Sequence, residues 1–435
     1  MAKKSVLVIG GGIAGIQSSL DLANMGFQVY LVEKTPSIGG RMSQLDKTFP
    51  TNDCSMCILA PKMIEASRHP NIRLLTYSEV QEVAGDSGEF KVKIKKKARF
   101  VDEEKCTGCG TCMQKCPYKT DSEFEVGLAK RKAAYIPFPQ AVPNVATIDP
   151  DICIYIKSEG KKCGACMKFC DAGAIDFSQQ DQIIEVEVGS IILAIGFELY
   201  DPSVLEEYGY GKIKNVITAM QYERMISASG PTGGQLQRPS DGKTPKKLAF
   251  IQCVGSRDTH YKLYCSSVCC MHATKEAILA NEHYPDLEAF IFYTDMRAVG
   301  KRFQEYIARA EQQYKVTYIR SRPSKVTEDQ DTGNPILWYE ETTSRTRTSM
   351  EVDMVVLCQA MIPSGSIKDM SSMMHLSLND YQFVHIPDRL FHPVDTEIPG
   401  LFACGFCQAP QDIPDSVVQA SAAAARAAEF VSKDE

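Results

Sequence analysis

A chain of 435 residues is long enough for two or three domains with real cores, and its 44% hydrophobic and 23% charged content is ordinary for a globular protein. A net charge of −6 argues against nucleic acid as the main partner, because that role calls for a basic face. The apolar run Ser190–Phe197 is among the longest and is far too short to span a bilayer, so membrane association is expected only through a partner.

The opening Met-Ala-Lys-Lys runs straight into a strand pattern, without the profile of a secretory signal. Seventeen cysteines in such a chain read as metal ligands or redox groups in a reducing compartment, and the expected location is cytoplasmic.

Residues 5–33 predict a strand, the turn Gly10-Gly11-Gly12-Ile13-Ala14-Gly15, a helix to about Asn24, a second strand and a terminal acid, Glu33. In this G-x-G-x-x-G, Gly10 permits the tight turn, Gly12 lets backbone approach a pyrophosphate, and Gly15 allows close helix–strand packing. Ile13 and Ala14 sit at the helix start, whose free N–H groups and partial positive charge suit phosphate. Glu33 is placed to accept ribose hydroxyls. The dinucleotide is expected to be FAD. Residues 34–42 (KTPSIGGRM) resemble the second turn of FAD enzymes of the glutathione-reductase superfamily. That likeness implies Gly39, Gly40 and Arg41 along the ribityl and phosphate path, with Lys34 and Met42 as further contacts. Gly189–Gly196 resembles the crossover marker of the same enzymes, bringing in Ala194 and Gly196. Leu401–Asp412 resembles the late segment that closes over the flavin, bringing in Gly405, Asp412 and Ile413 at the start of a helix from about Pro414 to Val431.

Thr51–Met63 holds Cys54 and Cys57 as C-x-x-C. A redox disulfide at a helix start, two ligands of a shared cluster, and a pair of packed thiols all fit this pattern, and the residues do not choose. Phe90–Phe100 (FKVKIKKKARF) predicts a strand with a solvated lysine face.

Residues 99–178 read as an insertion. Cys106, Cys109, Cys112 and Cys116, followed by Pro117, form a bacterial ferredoxin run. Cys153, Cys163, Cys166 and Cys170 repeat it with the first spacing stretched and Asp171 in place of proline. In such pairs the fourth cysteine of each run crosses over. One 4Fe–4S cluster is therefore expected on Cys106, Cys109, Cys112 and Cys170, and another on Cys153, Cys163, Cys166 and Cys116. The triple spacing disfavours zinc. Lys130–Asn144, with three prolines, is expected to be an extended arm.

Residues 213–357 predict a second α/β unit, with strands at Leu248–Ile251, Ala289–Phe292 and Met354–Leu357 and helices near Cys269–Asn281 and Val299–Gln313. No G-x-G-x-x-G follows Ile251, which argues against a bound nicotinamide nucleotide. The corner carries Cys253, Cys265, Cys269 and Cys270 instead, enough thiolates for a third 4Fe–4S cluster. Lys275, five residues past Cys270, is the candidate catalytic group: an ammonium beside a flavin favours its reduced anion. Cys358 and Cys404 read as packed thiols, while Cys407 lies in the late flavin segment.

The order of these segments, with the arm YIPFPQAVP and CVGSRD…YCSSVCCMHATK among them, resembles the A subunit of heterodisulfide reductase along nearly the whole chain. The resemblance implies an α/β, two-lobed FAD/NAD(P)-type (thioredoxin-reductase-like) doubly wound fold with an inserted two-cluster ferredoxin domain. The domains are expected at 1–98, 99–178, 179–212, 213–357 and 358–435. It also implies an oxidoreductase subunit exchanging electrons between partner clusters and flavin, with Cys253, Cys265, Cys269 and Cys270 holding a cluster near the flavin and Lys275 close to the isoalloxazine. Other subunits of the complex, B/C-type or quinone-linked, are the expected partners, with a homodimer within the complex as one arrangement. Ending at Glu435, the chain reads as the short form without a C-terminal ferredoxin module, so electron bifurcation or confurcation would need another subunit's wire. Two rival readings are an NAD(P)H-dependent flavin reductase resembling the small subunit of glutamate synthase or thioredoxin reductase, with Cys54 and Cys57 as its dithiol, and a scaffold whose flavin is structural.

Overall fold

A computed structural model describes residues 4–342 and 344–432. The chain divides into two units. The first comprises residues 1–43, 56–197 and 363–435, and the second 44–55 and 198–362.

The first unit is built on a five-stranded parallel sheet. Ser5–Ile9 lies at its centre, between Ser190–Leu193 and Gln28–Glu33, with Leu401–Ala403 and Ile72–Thr76 at the edges. These strands are near-continuous Val, Ile and Leu because both faces are covered, as parallel sheets require. Val6, Val8, Leu31 and Ile192 pack on the side of the helices Ile13–Asn24 and Ile413–Ser432. The second helix is Ala-rich on its buried positions, Ala420, Ala423, Ala424 and Ala427, and the two helices lie against each other. Leu7, Val32, Ile191 and Leu193 face the other way, onto an antiparallel sheet of Ser78–Ala84, Phe90–Lys96 and Gln182–Val188. Phe90–Lys96 alternates buried Phe90, Val92 and Ile94 with lysines, the period of a strand with one wet face.

The insertion leaves and rejoins the chain at this antiparallel sheet. It has its own small core of Val101, Ala133, Ala146, Ile148 and Ala174 with the ferredoxin-run cysteines. At its root, the buried Arg99 guanidinium donates to Thr147 Oγ1 and to the Pro36 carbonyl, each at 2.9 Å, and to Thr76 Oγ1, with Glu103 at 2.8 Å. The proline-rich arm enters as short strands, Lys130–Lys132 and Ala134–Tyr135, and continues without helix.

The second unit centres on another five-stranded parallel sheet, in the order Val216–Thr218, Met354–Gln359, Lys247–Val254, Glu288–Tyr293, Thr317–Arg320. Helices Ala219–Ile226, Cys269–His283 and Phe303–Gln312 belong to it. The last starts four residues later than the sequence suggests, after Arg302 takes a left-handed conformation. Three strands, Lys325–Glu328, Pro335–Glu341 and Thr346–Glu351, form an antiparallel sheet that the sequence does not announce. Three divisions also differ from expectation: residues 44–55, 198–212 and 358–362 belong to the second unit rather than to the nucleotide fold. Within that unit Phe49 meets Phe303 edge-on at 5.6 Å and the Tyr306 hydroxyl donates to Asn52 at 2.5 Å.

Candidate functional site

The nucleotide-type site lies where the parallel strands of the first unit end. Gly10 has φ of +109°, and a Cβ there would sit 2.3 Å from the Ala194 carbonyl oxygen. Only glycine allows the ends of these two neighbouring strands to come so close. A Cβ at Gly15 would lie 1.8 Å from the Gly10 oxygen, the close helix–strand approach expected of the third glycine. Gly12 differs: a Cβ there would meet no protein atom within 4 Å. It stands at the start of Ile13–Asn24 with no side-chain cap, so the helix presents its first N–H groups bare. Gly40 stacks on it, since a Cβ at Gly40 would approach Gly12 Cα at 2.9 Å.

Glu33 is buried and already engaged. Its carboxylate accepts from Gly11 N–H at 2.7 Å and from the Thr35 N–H and hydroxyl at 2.8 Å each, tying the second strand to the glycine turn. A carboxylate has about four lone-pair sites, so three bonds leave one for a ribose hydroxyl. Lys34 is exposed, Arg41 half-buried, Met42 buried. Ala194 N–H donates to the Ile9 carbonyl at 2.8 Å, with Gly196 two residues on. A Cβ at Gly405 would touch Ala14 Cβ at 3.0 Å. Asp412 accepts from Asp415 N–H at 2.9 Å, so it caps the helix starting at Ile413, and burial raises its pKa. These residues converge on the carboxyl ends of parallel strands, where α/β sheets bind ligands. Bare backbone at Gly12 and an uncapped helix start fit a dinucleotide pyrophosphate.

In the insertion, Gly110 and Gly164, both left-handed, open the short helices Thr111–Lys115 and Ala165–Lys168, which pack together. Cys112, Cys116, Cys153 and Cys166 are buried, Cys106 and Cys170 partly so, and Cys109 and Cys163 exposed. Burial pushes Cys112 up to about 11, helped by the nearby Cys106, Cys109 and Cys170 sulfurs. Burial likewise raises Cys166 to about 12, with Cys153, Cys116 and Cys112 adding to it, and Cys153 feels Cys116 and Cys163. Cys170 is thus near enough to act on Cys112, and Cys116 on Cys153 and Cys166.

In the second unit, Lys247–Val254 carries Cys253, with φ of +60°, next to its last residue, and Cys269 and Cys270 open the helix Cys269–His283. The Cys269 thiol donates to Cys253, which this bond and the Arg257 guanidinium draw down to about 6. Cys270 is lowered by the same thiol, and Cys265 lies close enough to feel both Cys253 and Cys270. Four sulfurs thus share one strand–loop–helix corner.

Lys275, one face of that helix further, is fully buried rather than solvated. Its ammonium bonds Glu223 Oε1 and donates to the Lys47 carbonyl at 3.1 Å. Burial lowers its pKa to about 8 against the pull of Glu276 and Asp46. His272 Nε2 lies 2.9 Å from Glu276 and 3.5 Å from Glu223. Among the described residues, neither oxygen of the buried Glu276 has a well-aligned hydrogen-bond donor. Sequence reasoning missed Glu223, His272 and Glu276. The i,i+4 spacing of His272 and Glu276 was a usable signal, but Glu223 arrives from another helix. Of the remaining cysteines, Cys358, Cys404 and Cys407 are buried free thiols, while Cys54 and Cys57 are disulfide-bonded.

Residues 5–67 match the family model "FAD dependent oxidoreductase" and residues 99–120 match "4Fe-4S binding domain". The solved thioredoxin reductases of Lactococcus lactis and T. acidophilum share the fold, with TM-scores of 0.53 and 0.52, at 14% and 12% identity over 99% of each chain. Among curated relatives, the second iron–sulfur A subunit of the CoB–CoM heterodisulfide reductase of Methanopyrus kandleri is 54% identical over 97% of this chain and 63% of its own length. The A subunit of the H(2):CoB-CoM heterodisulfide,ferredoxin reductase of Methanothermobacter marburgensis is 51% identical over the same shares. The chain thus spans somewhat less than two thirds of the length of these relatives. Over the part that it spans, this α/β chain, with its FAD oxidoreductase and 4Fe–4S binding domains, belongs to the family of heterodisulfide reductase A subunits.

Proposed function

We propose that the chain is the FAD and iron–sulfur electron-transfer subunit of a heterodisulfide-reductase-like oxidoreductase complex. The observation that carries this reading is the corner at Cys253, Cys265, Cys269 and Cys270, where four sulfurs stand in place of nucleotide-binding glycines. High identity along almost the whole chain to the A subunits of such reductases supports it.

Gly10, Gly12, Ile13, Ala14, Gly15 and Glu33 would hold the FAD, with Lys34, Gly40, Arg41, Met42, Ala194, Gly196, Gly405, Asp412 and Ile413 around them. Three 4Fe–4S clusters are proposed. Cys106, Cys109, Cys112 and Cys170 would hold one, Cys116, Cys153, Cys163 and Cys166 the second, and the corner cysteines the third. No three of these sulfurs lie mutually within 4.8 Å among the described residues, whereas a tetrahedral zinc would draw four to roughly 4 Å of one another. When bound, flavin exchanges electrons singly or in pairs and the clusters carry them singly. The chain's own work is placement. The glycine turn orients phosphate, the insertion core keeps four of its thiols from water, and Arg257 favours a thiolate at Cys253. Lys275, bonded to Glu223, is proposed as the charge that favours reduced flavin. The partners would be the other subunits of such a complex, B/C-type or quinone-linked, with a homodimer within it.

Purification of the native complex tests this, with its companions identified and iron and flavin counted per copy. About twelve irons, four for each of three clusters, and one FAD are expected. Rapid flavin bleaching by NADH or NADPH alone would overturn the reading in favour of a nicotinamide-dependent reductase.

A further inference from the structure

The lysines of this chain fall into two groups. On the strand Phe90–Lys96 and just after it all but Lys91 are consumed internally: Lys93 pairs with Glu82 at 2.8 Å, Lys95 with Asp181 at 2.7 Å, Lys96 with Glu103 at 3.1 Å and Lys97 with Glu79 at 2.5 Å. Most of that basic stripe is neutralised where it stands. The insertion is different. Around Cys163, Lys162 and Lys168 are exposed and make no ion pair among the described residues, and Lys161, 77% exposed, has only Glu159 at 3.5 Å.

The same few residues carry exposed apolar surface. Met167 is 45% and Phe169 48% exposed, and the Lys115 ammonium lies 4.7 Å over the Phe169 ring. Lys115 forms no ion pair among the described residues either, so this contact does not spend its charge. Exposed apolar side chains beside largely unspent cations, in a chain whose net charge is −6, suit a docking patch better than a solvated face. Its neighbours Glu159 and Asp171 reduce the local positive charge without cancelling it. The other exposed thiol, Cys109, lacks such a ring: Lys105 there is held by Asp102 at 2.8 Å.

We propose that Lys115, Lys161, Lys162 and Lys168, with Met167 and Phe169, form the docking face for an acidic redox protein, seated over Cys163. The proposal rests on the cluster reading above, which gives such a partner a reason to sit there. Opposite charge raises encounter rates by about ten- to a thousandfold and fades with salt, and the exposed ring and thioether supply the dry centre.

The test is titration calorimetry of the holoprotein with a purified acidic bacterial-type ferredoxin, at low and at 0.5 M (roughly a 4 Å screening length) salt. Three samples are compared: the wild type, the triple variant Lys161→Glu/Lys162→Glu/Lys168→Glu, and the control Lys93→Glu/Lys95→Glu. Iron is counted in each. We expect the triple variant to weaken binding at low salt at least tenfold with iron content unchanged, salt to erase the difference, and the control to bind as wild type. Equal binding by the triple variant overturns the proposal, as does an equal loss in the control. Capture of the wild type by anionic lipid vesicles with no affinity for ferredoxin overturns it in favour of a membrane surface. If the triple variant loses iron, Phe169→Ser at the patch centre replaces it, and unchanged binding by that variant again overturns the proposal. Wild type without iron would sink the cluster reading itself and the docking role with it.

Discussion

The Lys275 ammonium is bonded to the Glu223 carboxylate inside the second unit, with neither side chain exposed to solvent. Breaking one half of such a pair leaves the other charge buried and uncompensated, at a cost of roughly 3–5 kcal/mol. Glu223→Gln is therefore expected to lower stability by about that amount and Lys275→Met by a similar amount. The double variant should recover much of the loss, because two neutral groups need no desolvation. Urea denaturation of the four proteins checks this, and additive losses would show that the pair is not coupled.

The same lysine gives a pH signature. Burial holds Lys275 near 8, below its usual 10.5. Between those values the unfolded chain binds a proton that the folded chain does not, so stability from this group rises with pH. It is fully present above about 10.5 and lost as pH falls through about 8. Wild type should therefore gain on the Lys275→Met/Glu223→Gln variant as pH rises from 8 toward 10. A constant difference would mean that Lys275 titrates normally.

The glycines of the first turn separate folding from cofactor binding. Gly10→Ala puts a methyl into the Ala194 carbonyl at a left-handed position and is expected to abolish stable folding of the sheet end. Gly12→Ala meets no protein atom, so the melting temperature of the flavin-free protein should hardly move. Its methyl would stand where a pyrophosphate must approach, and FAD affinity is expected to fall at least tenfold, about 1.4 kcal/mol. Flavin absorbance per chain after dilution reads that loss. Retention of FAD by Gly12→Ala would move the phosphate site elsewhere.

Much of this architecture is legible from local pattern. The strand Ser5–Ile9 is apolar from Val6 on and followed by glycine, and Lys247–Val254 carries a cysteine next to its end where glycine is customary. The ferredoxin runs carry their own spacing. What stays hidden depends on tertiary contact. Nothing local marks Glu223 as the partner of Lys275, because they meet across two helices. Nor does Glu33 reveal that Gly11 and Thr35 already occupy it. Thr346–Glu351 escapes because its polar, largely exposed residues lack an apolar period, and Pro335–Glu341 because its apolar residues come as one short run, Pro335–Tyr339, rather than alternating. Residues 44–55 read as part of the nucleotide fold by sequence order, but Phe49 and Asn52 find Phe303 and Tyr306.

Arg99 is the test of how the insertion is anchored. Its guanidinium is buried and spreads its donors over Thr147, Thr76, Pro36 and Glu103, groups from the insertion and from the nucleotide sheet. Charge-assisted hydrogen bonds contribute about 1.5–3 kcal/mol each, and desolvating the cation offsets part of their sum. Arg99→Met is expected to cost about 3 kcal/mol, most of it from acceptors left unpaired. Arg99→Lys should recover little, since one ammonium cannot serve four separated acceptors. The loss should appear first as faster proteolysis between residues 99 and 178, ahead of any loss of flavin. Simultaneous loss of flavin and insertion would instead show that Arg99 supports the nucleotide fold itself.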